Sequence, residues 1–277
     1  MNNLVISDNY LSKVEKMILG GKNDLLVLAD FDRTLTKAFD SAGKKVSPGR
    51  SIRSMKFFKG NISEKLEDEY AKFKFFAADE DLERKKKVER LSDCFRKQKK
   101  IMVEAGFDKE TLKELVDDND IEFRDGFGDF LEYLSINNIS LVIVSAAWGD
   151  LIKLYLEKKG YLSDKLFVVS NFFIFDKHGA AVGIQDLVVH MMNKAEVRYD
   201  SFDFYDEIKD RKNILLLGDT LDDAQMADSL DFENIIRIGF LNEDVEKNLA
   251  SYKEIFDLVL SVDLDMSEIN KLLFKIY

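Results

Sequence analysis

The chain has 277 residues, of which 46% are hydrophobic and 34% charged, enough for one large domain or a core domain with a smaller insertion. Its formal net charge of −11 argues against a nucleic acid polymer as partner, although a few local cations could hold a small anionic substrate. The single cysteine, Cys94, excludes an intrachain disulfide and disfavours a zinc–thiolate site. Neither a membrane-spanning apolar run nor a signal-peptide pattern is present, so we expect a soluble, cytoplasmic protein with no membrane partner.

The beginning of the chain predicts a helix followed by a buried strand. Residues 1–22 have the apolar spacing of a short amphipathic helix that stops at two glycines, and we assign it only a packing role. The uninterrupted apolar run Leu25–Ala29 is typical of a buried strand in a parallel sheet. Asp30 and Asp32 follow it, at the end where open α/β sheets bind ligands. Both carboxylates could face one site and hold a hard cation, although an isolated pair also fits a solvated acidic turn.

The pattern changes after this strand. Glycines and the only proline, Pro48, indicate a loop up to about residue 60, and residues 63–120 are charged with a helical spacing of apolar side chains. We therefore predict that residues 38–122 form a helical cap over the site. The basic run 84–87 is interpreted as a solvated helix face rather than an anion site. Three aromatic residues either pack inside this block or form a wall that stacks on a substrate ring: Phe73, Phe75 and Phe76.

Strands and helices alternate from Phe123 onward. This rhythm predicts a doubly wound, mostly parallel, Rossmann-like α/β core made of residues 1–37 and 123–277. The helices are expected to begin near residues 124, 150 and 267. The further strands are predicted over residues 140–144, 166–171, 172–175, 213–218, 235–239 and 258–261.

Chemically suggestive side chains occur at or near several of these predicted strand ends. The strand at 140–144 runs into Ser145 and Ala146, small residues that let backbone N–H groups approach a phosphate closely. The strand at 213–218 runs into Asp219, with Asp223 four residues on. Each signal alone also fits an ordinary turn. A lone lysine such as Lys194 is ordinarily an exposed surface residue without a chemical role. Because a doubly wound sheet brings such ends to one edge, the set predicts a phosphoryl-transfer site: Asp30, Asp32, Ser145, Lys194, Asp219 and Asp223.

These segments resemble the four motifs of the haloacid dehalogenase superfamily. The motifs are Asp30-Phe31-Asp32-Arg33-Thr34, Ser145-Ala146, Lys194 and residues 218–223. More narrowly, the chain resembles the pyrimidine 5′-nucleotidase family, of the cytosolic 5′-nucleotidase III type. That narrower resemblance runs from Leu25 onward, is thin in the helical block, and rests on residues 124–127, 168–172, 175–176, 193–194, 217–219, 226–228 and 238–242.

The resemblance implies a phosphoric monoester hydrolase of nucleotide metabolism. Asp30 would attack the phosphorus to give an aspartyl-phosphate, and Asp32 would protonate the leaving oxygen and then deprotonate the hydrolytic water. Mg²⁺ would be bound by the Asp30 carboxylate, the Asp32 backbone carbonyl and Asp219. Asp223 belongs to the same metal site, and there it would orient waters or Lys194.

The resemblance also assigns the phosphate and cap contacts. Ser145 and the Ala146 N–H would hold phosphoryl oxygens, Lys194 would offset their charge, and Thr34 would support the Asp30 loop at the substrate. In the cap, a gap-free alignment places a base-contacting glutamate of the family on Ala77. Asp79 is the nearest acid, and a nucleotide-contacting serine falls on Gln98, so these two are the candidate cap contacts.

The leading hypothesis is a Mg²⁺-dependent phosphatase of a nucleoside 5′-monophosphate, most simply of the pyrimidine type. The same core could instead act on another small phosphate ester, such as a sugar or amino-acid phosphate, because the cap determines the substrate. Phosphoryl transfer to an acceptor other than water is a further alternative. A non-catalytic binding module is disfavoured, since both leading aspartates are present.

Overall fold

The computed structural model of the protein describes residues 4–46, 61–119 and 121–276; the rest of the predicted loop, with Pro48, lies outside these ranges. The strands are β1 (Leu4–Ile6), β2 (Leu25–Ala29), β3 (Ser140–Trp148), β4 (Leu166–Asn171), β5 (Phe173–Phe175), β6 (Ala181–Ile184), β7 (Asn213–Gly218), β8 (Asn234–Leu241) and β9 (Leu258–Ser261). The helices are α1 (Tyr10–Gly20), α2 (Ile62–Ala78), α3 (Arg84–Glu104), α4 (Lys109–Asp118), α5 (Phe127–Ile136), α6 (Gly149–Lys158), α7 (Tyr205–Ile208), α8 (Val245–Ile255) and α9 (Ser267–Leu273).

The described strands form a seven-stranded sheet in the order β1-β9-β8-β7-β2-β3-β4, with β5 and β6 pairing separately as an antiparallel hairpin. All pairs of the large sheet are parallel except β1 with β9. In the central register, Ala29 lies opposite Ile143 of β3 and Leu217 of β7. The carboxyl ends of β2, β3 and β7 therefore lie side by side. The prediction of a mostly parallel α/β core is confirmed.

Strand β2 is apolar throughout because both faces of the sheet are covered. Its alternate residues enter two different hydrophobic clusters: Leu25, Val27 and Ala29 on one side, Leu26 and Leu28 on the other. All five are fully buried. Burial of a leucine or valine side chain contributes about 1.5–3 kcal/mol, so this strand is a firm base for the carboxylates that follow it.

The amino-terminal prediction is wrong in part. Residues 4–6 do not continue a helix but form the edge strand β1, antiparallel to β9, and the helix begins only at Tyr10. Leu4 and Ile6 match the helical spacing by coincidence, whereas Val14 and Met17 are the positions that the helix buries. Two further differences concern β3, which continues through a register shift to Trp148, and β6, which the sequence analysis missed.

The described residues between β2 and β3 form helices and turns, as predicted. Helices α2 and α3 pack against each other, with Phe73 edge-on to Phe95 at 5.4 Å between ring centroids, which supports the packing interpretation for Phe73. Phe75 is 68% exposed. The division into a core and a cap of residues 38–122 stays a prediction, and α4 packs against α6 of the core. Among the described helices, none combines the length and apolar character required to cross a membrane.

Candidate active site

A cavity of about 130 Å³ lies at the carboxyl ends of the central strands. It is lined by Asp30, Asp32, Arg33, Ser145, Ala146, Met191, Lys194, Asp219, Thr220 and Asp223. The fold thus brings together the predicted core residues from four distant parts of the chain. Thr34 is the exception, because it does not line this cavity. Three lining residues had no role in the sequence analysis: Arg33, Met191 and Thr220.

Lys194 lies at the centre of this site. Its Nζ is 2.6 Å from Oδ1 of Asp30 and 2.6 Å from Oδ1 of Asp223, and the side chain is 3% exposed. Burial alone would lower the pKa of Lys194, but the charges of Asp223 and Asp30 outweigh it and raise the pKa. The ammonium therefore stays charged at neutral pH, where it offsets the two carboxylates.

The two leading aspartates have raised pKa values. Burial raises the pKa of Asp30 to about 6, and the charge of Asp223 adds to this while Lys194 opposes it. Burial, followed by the charge of Asp30, raises the pKa of Asp32 to about 7. Oδ1 of Asp32 is buried and has no hydrogen-bond partner in the described residues. A carboxyl group of this kind can give or take a proton near neutral pH, as general acid–base catalysis requires.

Asp223 is fully engaged by protein donors. Its Oδ2 accepts hydrogen bonds from the Asp219 N–H at 3.1 Å and from the Thr220 N–H and hydroxyl at 2.8 Å each. Its Oδ1 contacts Lys194. The last residue of β7 must be Gly218, because a Cβ there would lie 2.4 Å from the Cβ of Asp223. Asp223 is therefore better placed to orient Lys194 than to ligate a metal directly.

Three carboxylates could hold a metal ion, since one oxygen each from Asp30, Asp219 and Asp223 lies within 4.8 Å of the others. The Asp219 carboxylate accepts no hydrogen bond from any described residue, and its nearest cation is Arg33, with Nε 3.7 Å from Oδ2. Burial, then the charges of Asp223 and Asp30, raise the pKa of Asp219 well above its ordinary value. A buried carboxylate without donors, beside Asp30, fits a hard divalent cation such as Mg²⁺.

The last part of β3, residues 145–147, lies in a register shift of the strand and is held by Asn171. The Ala147 N–H donates to Ser145 Oγ at 3.1 Å, and Asn171 Nδ2 donates to the carbonyls of Ala146 and Ala147. The Asn171 amide also donates to and accepts from the backbone of Val189, ahead of the turn that carries Lys194. One amide therefore ties the two predicted phosphate-binding segments together. The narrower family resemblance includes Asn171, but no pattern in the sequence indicated this role.

A buried arginine fixes the loop that follows Asp32. Arg124 Nε donates to the Thr34 carbonyl at 2.7 Å, and its Nη2 donates to the Arg33 carbonyl at 2.6 Å and to Asn242 Oδ1 at 2.9 Å. Its Nη1 forms an ion pair with Asp263 at 2.9 Å and donates to the Leu264 carbonyl. These bonds hold Arg33 at φ 64°, a left-handed conformation that is uncommon outside glycine. Thr34 Oγ1 is buried without a hydrogen-bond partner in the described residues, and its substrate role stays a prediction.

Replacing Arg124 with methionine is expected to lower the free energy of unfolding by about 2–4 kcal/mol, because buried carbonyl and carboxylate groups lose their donors. Turnover should fall as well, since the backbone after Asp32 is released. Urea denaturation and steady-state kinetics measure the two effects. Arg198→Met is the matched control: this exposed arginine pairs with Asp200 alone among the described residues, and its loss should leave the free energy of unfolding nearly unchanged. Equal, small losses for both variants would contradict the bracing role.

The two candidate cap contacts do not line the cavity. Asp79 follows α2 and accepts a hydrogen bond from the Asp81 N–H at 3.1 Å. Gln98 is buried on α3. Their contact with a substrate stays a prediction. Of the basic run at 84–87, Arg84 is half exposed yet reaches core loops, 3.4 Å from Asp222 and 3.1 Å from the Met192 carbonyl.

His190 connects helix α3 to the loop before Lys194. The Met192 N–H donates to its Nδ1, so the proton lies on Nε2, which faces the Val88 carbonyl at 3.2 Å and Ser92 Oγ at 3.1 Å. Burial lowers the pKa of His190 to about 4. The ring is neutral and both of its nitrogens are hydrogen-bonded, so His190 connects two parts of the structure. The predicted site contains no histidine.

Acidification should therefore destabilise the protein through His190. Its pKa is about 4 in the folded state and about 6.5 in an unfolded chain, so the unfolded chain binds more protons between these values. Stability falls as the pH drops through this window, by up to about 3 kcal/mol from this group. Urea denaturation at pH 7.5 and 5 measures the slope. His190→Gln should flatten it relative to wild type, whereas His178→Gln, at an exposed turn, should not. Identical slopes for all three proteins would refute the assignment.

The mostly parallel sheet, the acid pair Asp30 and Asp32 after β2, and the lysine held between Asp30 and Asp223 are the arrangement expected of a phosphatase of the haloacid dehalogenase class. A substrate-bound phosphoserine phosphatase shares the fold, with a TM-score of 0.51 and 17% identity over 89% of this chain and 96% of that one. Within this class, the chain belongs to the pyrimidine 5′-nucleotidase (UMPH-1) family, whose model matches residues 33–277. The resemblance seen in the sequence is confirmed, and the protein is an enzyme of the phosphoric monoester hydrolase type.

Two proteins that are similar to this chain carry different names. The chain is 29% identical to the 7-methylguanosine phosphate-specific 5′-nucleotidase A of Xenopus laevis over 262 residues, which is 94% of this chain and 90% of that protein. The crystal structure of cytosolic 5′-nucleotidase IIIB bound to cytidine matches with a TM-score of 0.90 and 25% identity, covering 100% of this chain and 94% of that one.

Proposed function

We propose that this protein is a Mg²⁺-dependent 5′-nucleotidase, which hydrolyses a nucleoside 5′-monophosphate through an aspartyl-phosphate on Asp30. One observation carries the proposal: Asp30, Asp32 and Lys194 line a single small cavity, with the donor-free carboxylate of Asp219 beside them. The cavity can take a phosphoryl group at the carboxyl edge of the sheet. A cytoplasmic location is part of the proposal and is supported by the similarity to cytosolic 5′-nucleotidase IIIB.

The reaction has two displacement steps. In the first, a carboxylate oxygen of Asp30 bonds to phosphorus, the bond from phosphorus to the nucleoside oxygen breaks, and Asp32 gives its proton to that oxygen. In the second, Asp32 takes a proton from water, the water oxygen bonds to phosphorus, and the bond to Asp30 breaks. The products are nucleoside and inorganic phosphate. The pKa of about 7 for Asp32 supports this double role, since neither protonation state is strongly disfavoured.

The remaining lining residues stabilise the phosphoryl oxygens. The Lys194 ammonium supplies positive charge, while Ser145 Oγ and the Ala146 N–H serve as hydrogen-bond donors. Mg²⁺ held by Asp30, Asp219 and the Asp32 carbonyl would neutralise further charge on the phosphate. Arg124 holds the backbone of Arg33 and the Asn171 amide holds that of Ala146 before substrate arrives, so these two segments need little reorganisation during reaction.

Two kinds of nucleoside 5′-monophosphate, which differ in the base, are the leading candidates for the substrate. The family description supports a pyrimidine nucleotide, and the cytidine bound to cytosolic 5′-nucleotidase IIIB is consistent with it. The name of the Xenopus laevis relative supports 7-methylguanosine monophosphate. In the cap, Ala77 occupies the aligned position of the family glutamate, which favours a looser selection of the base and keeps other small phosphates open as substrates. Asp79 and Gln98 are the cap residues proposed to contact the nucleoside.

The test is phosphate release with Mg²⁺ across CMP, UMP, 7-methyl-GMP, AMP, glucose 6-phosphate and phosphoserine, with an EDTA-treated sample alongside. We expect the preferred nucleotide to exceed the non-nucleotide esters by roughly 10- to 100-fold in kcat/KM, a range typical of selection by a pocket. If the sugar phosphate or phosphoserine had the highest kcat/KM, the nucleotidase assignment would be refuted. The proposed phosphatase chemistry of the core would still stand. Transfer of phosphate to an added alcohol in place of water would identify a phosphotransferase.

A further inference from the structure

Arg33 places a second cation in the cavity, next to a proposed metal ligand. Its left-handed backbone and the hydrogen bonds to its carbonyl fix the start of the side chain. The guanidinium lies between two acids: Nη2 is 2.6 Å from Oε1 of Glu243, and Nε is 3.7 Å from Oδ2 of Asp219. Nε itself is buried and donates no hydrogen bond in the described part of the chain. Arg33 thus acts on Asp219 through charge.

The two cations of the site serve different carboxylates. Lys194 pairs with Asp30 and Asp223 at 2.6 Å each. Asp219 has neither a hydrogen-bond donor to its carboxylate nor a pairing cation other than Arg33 among the described residues. Any divalent cation bound by Asp219 is therefore placed close to the positive charge of Arg33, and the two repel each other.

Glu243 limits this repulsion. It holds Arg33 by the shorter of the two contacts and also pairs with Lys45, which follows the catalytic loop. Its side chain is 23% exposed, so its negative charge is only partly screened by water. Glu243 keeps the Arg33 guanidinium closer to itself than to Asp219 and compensates part of its positive charge. The Asp219 carboxylate therefore stays available to bind a cation.

We propose that Arg33 weakens divalent-cation binding at Asp219 and that Glu243 sets how strongly it does so. The inference rests on the proposed metal site and deepens it, because it names the groups that set the affinity of that site. Charges separated by a few ångströms in a partly buried site interact strongly enough to alter ion binding by an order of magnitude. Arg33 and Glu243 must then have opposite effects, which no purely structural role predicts.

The experiment measures Mg²⁺ binding by calorimetry, and Mn²⁺ binding by electron paramagnetic resonance, in the absence of substrate. Arg33→Met is expected to bind the ion roughly tenfold more tightly than wild type, and Glu243→Gln severalfold more weakly. Arg33→Gln, which keeps a polar side chain and removes the charge, should follow Arg33→Met and replaces it if the latter fails to fold. Arg198→Met controls for the change in net charge and should bind as wild type does.

Unchanged or weaker binding in both neutral variants of Arg33 would overturn the proposal, as would shifts of the same sign for Arg33→Gln and Glu243→Gln. Phosphate release, measured separately, distinguishes this failure from failure of the proposed function. If wild type binds Mg²⁺ and hydrolyses nucleotides while the affinities stay equal, only the role of Arg33 falls. If the affinities shift as expected but no phosphate ester is hydrolysed, the proposed function falls and the charge effect stands.

Discussion

Replacing Asp30 with asparagine is expected to reduce turnover at least about 10⁴-fold, the scale on which removal of a catalytic nucleophile acts in other enzymes. An amide oxygen is a poor nucleophile, so the covalent intermediate cannot form. The fold should be retained or stabilised, because the substitution removes one of three neighbouring buried carboxylates and Lys194 keeps its pair with Asp223. Kinetics of phosphate release and urea denaturation measure the two effects.

A second measurement distinguishes loss of the covalent step at Asp30 from loss of substrate binding. Acid-quenched wild-type enzyme should carry a phosphoryl group on the peptide that contains Asp30, detectable by mass spectrometry, and the Asp30→Asn protein should carry none. Asp8→Asn is the matched control, since Asp8 is exposed and outside the cavity. Turnover by Asp30→Asn within about a hundredfold of wild type would exceed what a missing nucleophile allows and would exclude the covalent route.

Replacing Lys194 with methionine is expected to cost about 3–5 kcal/mol of folding free energy, the usual effect of breaking a buried ion pair, and to abolish turnover. Two buried carboxylates, Asp30 and Asp223, lose the cation that lies 2.6 Å from each. The loss should depend on pH. Without Lys194 the folded-state pKa of Asp30 rises further above its unfolded value, so the cost is full at high pH and shrinks as acid protonates the carboxyl.

Urea denaturation at pH 8 and pH 5.5 tests both parts of this expectation. The wild-type advantage over Lys194→Met should be larger at pH 8. Lys209→Met serves as control, since this exposed lysine pairs at the surface with Asp206, its one ion-pair partner in the described chain, and its loss should leave the free energy of unfolding nearly unchanged at either pH. A Lys194→Met protein as stable as wild type at pH 8 would mean that the buried pair contributes nothing.

The core of the site could be predicted because its residues follow strands whose pattern is unambiguous. Strands β2 and β7 are continuous apolar runs, which indicates a sheet covered on both faces and hence a shared edge for Asp30, Asp32 and Asp219. Lys194 is different: it lies in a short 3-10 turn, and only its place among the other candidate residues, together with the family resemblance, distinguished it from any surface lysine.

The groups that hold the site rigid could not be predicted in the same way. Arg124 contacts Asn242 and Asp263, more than a hundred positions away, and no periodicity links residues at such separations. Arg33 is part of the first sequence motif, but the effect of its charge can be inferred only from its distances to Asp219 and Glu243. Local pattern thus identifies the reacting groups, while long-range contacts determine their electrostatics.

The hydrogen bonds and ion pair of Arg124 also make the loop after Asp32 depend on residues near the end of the sheet. Asp30 and Asp32 follow strand β2, yet the loop after them is held through Arg124 by contacts with Asn242, Asp263 and Leu264, far along the chain. A chain that stops at Ile255 contains every cavity-lining side chain but lacks two of those three contacts and strand β9. Truncation after Ile255 would therefore keep the cavity-lining residues but remove part of the bracing that holds the loop after Asp32.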